Sequence, residues 1–205
     1  MHRLAELLSH AVAGRYPDAD GAVEFVEPDD AGTCAAVEFN GHAVVLSHRN
    51  SGRLLEFGAD GFGGASRPDV IRGIAGDEYA IGTHDVFLLS FGTGRPTLSE
   101  RTDLEWHPRV QRSQRHRRDV HVFGDDTGLV TLGTGLVGRL ELSIERFEGA
   151  PAGTGQHLIA AGLGAAAAGQ AVWAQVAPGN AASLRTFLRA GFQPIGAETL
   201  LTPHA

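Results

Sequence analysis

The first place where this chain of 205 residues could do chemistry is a glycine loop near its carboxyl end, Gly149-Ala-Pro-Ala-Gly-Thr-Gly155. It sits between the end of a strand-like run and the start of a helix-forming one, Gln156-His-Leu-Ile-Ala-Ala-Gly-Leu163. Gly153 and Gly155 would let backbone approach a ligand without interference from Cβ. The unpaired amides of a first helical turn would then form a positive concavity suited to phosphate. Neither the dinucleotide fingerprint with its acidic residue further on nor the GxxxxGK[ST] loop is present. Both a phosphate cradle and a plain tight turn are therefore readings of this loop. The second place is the run Leu136 to Glu145. Alternation puts Leu140, Leu142 and Ile144 on one face and Arg139, Glu141, Ser143 and Glu145 on the other. The third is Arg109 to Arg118, with five arginines in ten residues. No aromatic is interleaved among them, which favours a solvated helix face over an anionic ligand or a partner surface.

Composition removes several alternatives. The formal net charge of −7 has the wrong sign for a protein held to nucleic acid mainly by phosphate neutralisation. All seventeen basic residues are arginine, so neither a Schiff-base lysine nor a phosphate-loop lysine can drive catalysis. Cys34 has no partner for an internal disulfide, and no CxxC or HExxH spacing offers a metal its ligands. The histidines (His42, His48, His84, His107, His116, His121, His157) are scattered, which fits surface or hydrogen-bonded roles. No stretch of about eighteen apolar residues spans a bilayer, and the start lacks a secretory apolar run, so a cytoplasmic location is expected.

These residues need elements to hold them. Residues 3–13 have Leu4, Leu7, Leu8 and Val12 at helical spacing. Ala22–Val26 alternates as a strand. Ala35–Phe39 and His42–Leu46, joined by Asn40-Gly41, read as a hairpin through a type I′ turn. In the glycine-rich stretch 51–83 only Pro68–Ile74 is helix-like. Asp85–Ser90 reads as a buried strand, and Pro108 starts a helix over Arg109–Arg118. Val120–Phe123 and Leu129–Leu132 form a second hairpin, followed by the long strand Leu136–Glu145. The helix after the glycine loop carries an alanine-rich tail to Ala168. Ala171–Val176 is a strand, and Asn180 caps a helix from Ala181 to Ala190 whose buried stripe is Leu184, Phe187 and Leu188. Gly191 ends that helix in the left-handed region, Phe192 folds back on Phe187, and Gln193–Leu201 is a final strand. The chain divides near residue 105, into an amino-terminal α/β region (1–105) and a carboxyl-terminal domain (106–205).

In their order, residues 129–201 resemble the acyl-CoA-binding half of the GNAT acyltransferase superfamily. The specific stretch is Asn-Ala-Ala-Ser-Leu-Arg-Thr-Phe-Leu-Arg-Ala-Gly-Phe (180–192), where Asn180, Ser183, Arg189, Gly191 and Phe192 match the family's pattern. The resemblance implies an α/β fold with a mixed, splayed central sheet and helices on both faces. The splay would fall between Leu136–Glu145 and Ala171–Val176, with a pantetheine arm in the gap. It implies that the amides of Gly153, Thr154, Gly155, Gln156 and His157 hold a pyrophosphate, that backbone around Ile144 and Arg146 pairs with pantetheine, and that Asn180 faces its far end. It further implies direct transfer of acetyl from acetyl-CoA to an amine, without metal or covalent intermediate. Glu141 is then the general base and Glu145 its reserve. Expected partners are the acyl donor and an amine-bearing acceptor, not nucleic acid or membrane, with a homodimer left open. Two positions depart from the family. Ala150 stands where its loop has arginine or glutamine, and Phe187 stands where a tyrosine often donates a proton. Both point to the alternative, a catalytically degenerate acyl-CoA-binding or protein-interaction domain on the same scaffold.

Overall fold

Apolar alternation and glycine punctuation resolve into nine strands and six α-helices over residues 1–204, which a computed structural model describes. One unit holds Met1–Phe87 and the carboxyl-terminal segment from Ile195; the other holds Leu88–Pro194. The expected break near residue 105 thus lies instead at Phe87/Leu88 and at Pro194/Ile195. The last strand of the chain is the reason, because it pairs with a strand of the first unit and takes the carboxyl terminus there.

The first unit opens with α1 (Arg3–Val12), which buries Leu4, Leu7, Leu8 and Ala11 on one stripe. β1 (Val23–Val26), β2 (Cys34–Glu38) and β3 (Ala43–Leu46) follow. β2 and β3 form the expected hairpin, but its turn is not the expected type I′, since Gly41 has φ 74° while Asn40 keeps a negative φ and type I′ needs both positive; β1 runs parallel to β3. The glycine-rich stretch contains a helix that its composition hid, α2 (Ser51–Glu56), capped by the Asn50 side chain on the Arg53 amide at 3.2 Å. Then come α3 (Pro68–Ala75) and β4 (Tyr79–Phe91). β4 begins six residues before the apolar run that signals it, passing through Gly82, where a Cβ would sit 2.7 Å from the Leu200 carbonyl oxygen. With β9 (Gln193–Pro203), the strands of this unit lie in the order β1-β3-β2-β9-β4. Cys34, Ala36, Val45, Val70, Ile74 and Leu201 are among the residues of its core, so Cys34 is a small buried side chain, its thiol pushed up by burial.

The second unit contains α4 (Pro108–His116), β5 (Arg118–Asp125), β6 (Gly128–Thr134), β7 (Leu140–Arg146), α5 (Thr154–Ala165), β8 (Ala171–Val176) and α6 (Ala181–Arg189). Its strands run in the order β8-β7-β6-β5. β5, β6 and β7 are antiparallel and β7 is parallel to β8, so the sheet is mixed. α5 covers one face, where Leu158 and Ile159 are fully buried and Gly162 lies against Leu142 and Val130. α4 covers the opposite face, where Ser113 Oγ is 2.9 Å from Thr131 Oγ1 and Thr131 Oγ1 is 2.7 Å from Ser143 Oγ. The alternation read for β7 is therefore realised, apolar toward α5 and polar toward α4.

Three readings are corrected. β7 starts at Leu140, not Leu136, because Leu136–Gly138 forms a 3₁₀ turn with Val137 in the left-handed region at φ 48°. Leu188 is 42% exposed and leaves the stripe of α6 to Phe187 and partly to Leu184. The alanine-rich tail leaves the helix after Ala165, since Ala166 is already extended at φ −74°, ψ 146°.

Candidate functional site: a seam between two parallel strands

The site is built on the difference between the two edges of β7. Toward β6 the ladder is continuous, seven positions from Gly128 opposite Arg146 to Thr134 opposite Leu140. Toward β8 the parallel register is met at Glu141 opposite Trp173, and beyond it the strands part. Which backbone groups this leaves follows from ladder alternation. The Gly135 amide donates to the Arg139 carbonyl at 2.9 Å and the Phe147 amide to the Thr127 carbonyl at 2.9 Å. Odd-numbered residues of β7 therefore pair with β6, and Leu142, Ile144 and Arg146 direct their N–H and C=O groups toward β8. Leu140 and Leu142 flank the Trp173 bridge. Ile144 and Arg146 lie past it in the chain.

The glycine loop closes the outer end of the opening. Gly153, at φ 92°, is the amino-terminal cap of α5 and offers no side-chain hydrogen bond, a conformation that glycine adopts at no steric cost. A Cβ at Gly155 would meet Thr186 Cγ2 of α6 at 3.0 Å and Ile144 Cδ1 at 3.7 Å. This glycine lets α5, α6 and the end of β7 converge. The amides of Gly153, Gly155 and Gln156 meet no acceptor among the described residues, and Thr154 N reaches the Pro151 carbonyl at a long 3.4 Å. His157 is a correction to the expected cradle. Its amide is spent on the Gly153 carbonyl at 3.1 Å, because it is the first amide of the helix with an acceptor four residues back, and its ring lies 3.1 Å from Asp125. The Arg146 guanidinium donates to the carbonyls of Ala150 at 2.7 Å and Pro151 at 3.3 Å. A positive charge thus reaches the loop at the position where Ala150 itself carries none.

Where the strands part, Glu141 is buried between two guanidiniums. Arg117 Nε donates to Oε2 at 2.6 Å and Arg139 Nε to Oε1 at 2.7 Å. Gly135 packs directly on the carboxylate, leaving no room there for a side chain. Burial pushes the carboxyl's pKa up, but the charges and hydrogen bonds of Arg139 and Arg117 outweigh it and hold the group at about 2. This overturns the reading of Glu141 as general base. A carboxylate that weak, with an arginine on each oxygen, does not draw a proton from an ammonium near neutral pH. The reserve, Glu145, is also engaged, by Arg109 at 2.8 and 3.0 Å.

Arg117 escaped the sequence reading, in which it was one of five similar arginines. Besides Glu141 of β7 it donates through Nη2 to Gln175 Oε1 of β8 at 3.0 Å, so one side chain spans both strands where they diverge. Nothing local signals this, since its partners lie 24 and 58 residues away. The imidazole of His116, next in the chain, is pushed below its ordinary value by desolvation and by the neighbouring Arg112, Arg117 and Arg115, against a smaller upward effect of Glu141. Asn180 caps α6 with its side chain, accepting from the Ser183 amide at 3.1 Å. Gly191 takes φ 88° as expected, and Phe187 and Phe192 meet edge to face at 5.0 Å.

No family model matches the chain, and no curated protein matches it. Among solved structures, it is similar to an acetyltransferase of the GNAT family from Colwellia psychrerythraea, at 8% identity and TM-score 0.38 over 62% of this chain and 59% of that one. It is also similar to a GCN5-related N-acetyltransferase from Kribbella flavida, at 14% identity and TM-score 0.41 over 67% of this chain and 65% of that one. The chain thus spans less than two thirds of the length of either.

Proposed function

We propose that the second unit is an acyl-CoA-dependent N-acyltransferase that moves an acetyl group from acetyl-CoA to an amine. The observation that carries this reading is the seam itself. The edge of β7 past the Trp173 bridge leads to an uncapped helix start with free amides. A long thioester with peptide-like groups along its arm and phosphates at its end matches that sequence of partners. In this reading Ile144 and Arg146 bond the pantetheine through their backbone, and the amides of Gly153, Thr154, Gly155 and Gln156 bond the pyrophosphate. The Arg146 guanidinium supplies the loop's positive charge. Asn180 fixes the turn from β8 into α6, at the arm's far end.

The transfer needs a neutral amine, a held thioester and a stabilised oxyanion. The amine nitrogen attacks the thioester carbonyl carbon; the C–S bond then breaks and the thiolate leaves with a proton. Phe187 has no hydroxyl to give that proton, so it comes from solvent. We assign a positioning role to Glu141. That carboxylate holds Arg117 across both strands and so fixes the width of the opening.

The engagement of Glu141 and the phenyl ring of Phe187 favour a second reading, a domain that binds acyl-CoA without turning it over. Calorimetry with acetyl-CoA, followed by thiol release across an amine panel, separates the two. Saturable heat with thiol release supports the transferase, and heat alone supports the binder. Absence of heat at millimolar ligand overturns both.

A further inference from the structure

A second concavity belongs to the first unit and does not depend on the transfer reading. Between α2 and α3 lies a cavity of about 550 Å³ lined by Arg49, Arg53, Leu54, Phe57 and Arg72 among others, a volume in the range that holds a small molecule. Its floor is apolar, formed by Leu54 and Phe57 of the α2 side against Gly73 of α3. A Cβ at that position would come within 2.9 Å of the Phe57 ring and 3.0 Å of Leu54, so the glycine lets the two helices close on each other.

Three guanidiniums stand around this floor, and they differ in how they are held. Arg49 lies against Gly76, a glycine at φ +51°, and is anchored by Glu78, with Nη2 to Oε2 at 3.0 Å. Arg72 reaches Asp69 only at 3.6 Å, with both side chains exposed, an arrangement that holds a guanidinium weakly. Arg53 makes no ion pair among the described residues, and its guanidinium carbon sits 5.5 Å from the centre of the Phe57 ring, within cation–π distance. Three positive charges therefore face two carboxylates over an apolar floor, in a chain whose overall charge is −7. A concave site with local charge opposite to that of the molecule concentrates anions.

We propose that this cavity binds a small organic anion, its phosphate or carboxylate head held by Arg49 and Arg72 and its planar apolar body stacked on Arg53 and Phe57. The planar fork of a guanidinium pairs bidentately with either head, and Arg53, with Phe57 on one face, has its other face for a flat ring.

The test is a titration of the full chain with phenyl phosphate, benzoate and inorganic phosphate, followed by amide NMR shifts and calorimetry. Phenyl phosphate or benzoate should bind saturably, with shifts centred on residues 49–57 and 68–76, and the tighter of the two identifies the head. Inorganic phosphate should bind at least about tenfold more weakly, because it lacks the body. Arg53→Ala and Arg72→Ala, both at exposed positions, should each weaken binding about tenfold, the factor that corresponds to one charge-assisted contact. Arg53→Lys keeps the charge but loses the stacked plane, and should stay weak. No saturable shift at millimolar probe, unchanged affinity in Arg53→Ala, or shifts centred on Gly153–Gln156 would each overturn the proposal.

Discussion

Glu141 offers the sharpest test of the physical account, because its environment converts directly into a pH-dependent stability. The carboxyl's ordinary value of 4.5 is held down to about 2 in the folded chain. At about 1.4 kcal/mol per pH unit, that difference amounts to about 3 kcal/mol of folding free energy. The sign follows from the depressed folded value. The stabilisation is fully present above the unfolded value of 4.5 and is lost as pH falls toward 2. The perturbation is Glu141→Gln, which removes the charge, keeps the shape and leaves two buried guanidiniums without their carboxylate. At neutral pH the variant should be less stable by about 3–5 kcal/mol, the cost of breaking a buried pair by removing one partner. The assay is urea unfolding of both proteins between pH 7 and 3, followed by tryptophan fluorescence. Both tryptophans, Trp106 and the buried Trp173 across from Glu141, lie in the second unit and report on it. Other carboxylates held low, such as Asp20, Glu24 and Asp125, titrate alike in both proteins and cancel in the difference. The stability gap should therefore be widest near neutral pH and shrink as the wild type acidifies. A gap that stays constant with pH would refute the ion-pair account.

Two further outcomes follow. Gln156→Pro removes one free amide from the first turn of α5, where proline is tolerated; CoA affinity should fall at least about tenfold by calorimetry with little change in Tm. Gly162→Val places methyl groups where even a Cβ would meet Leu142 Cδ1 at 2.5 Å and Val130 Cγ2 at 2.7 Å, so urea unfolding should show a loss of about 1–3 kcal/mol or more from overpacking.

Much of the second unit was legible because its signals are local. The alternation of Leu140, Glu141, Leu142, Ser143 and Ile144 sets the two faces of β7 through the two-residue period of a strand. Gly153, Asn180 and Gly191 each mark a helix boundary by a backbone requirement that few other residues meet, and the order of loop, helix and strand carried the family resemblance. Local signals failed where conformation depended on distant contacts. α2 hides in a glycine-rich stretch and is fixed by packing against α3 through Gly73, and β4 extends through Gly82 because the Leu200 carbonyl comes so close.

The sequence by itself therefore determined the elements, the polar face that carries Glu141 and the glycine loop at the head of a helix, since each follows from periodicity or from a single residue's allowed dihedrals. Only the tertiary structure decided that Glu141 is clamped between Arg117 and Arg139, that Arg117 reaches Gln175 as well, and that the His157 amide is already spent. Those outcomes depend on which groups from remote parts of the chain arrive within hydrogen-bond distance. Burial then fixes what a carboxylate or an amide has left to give.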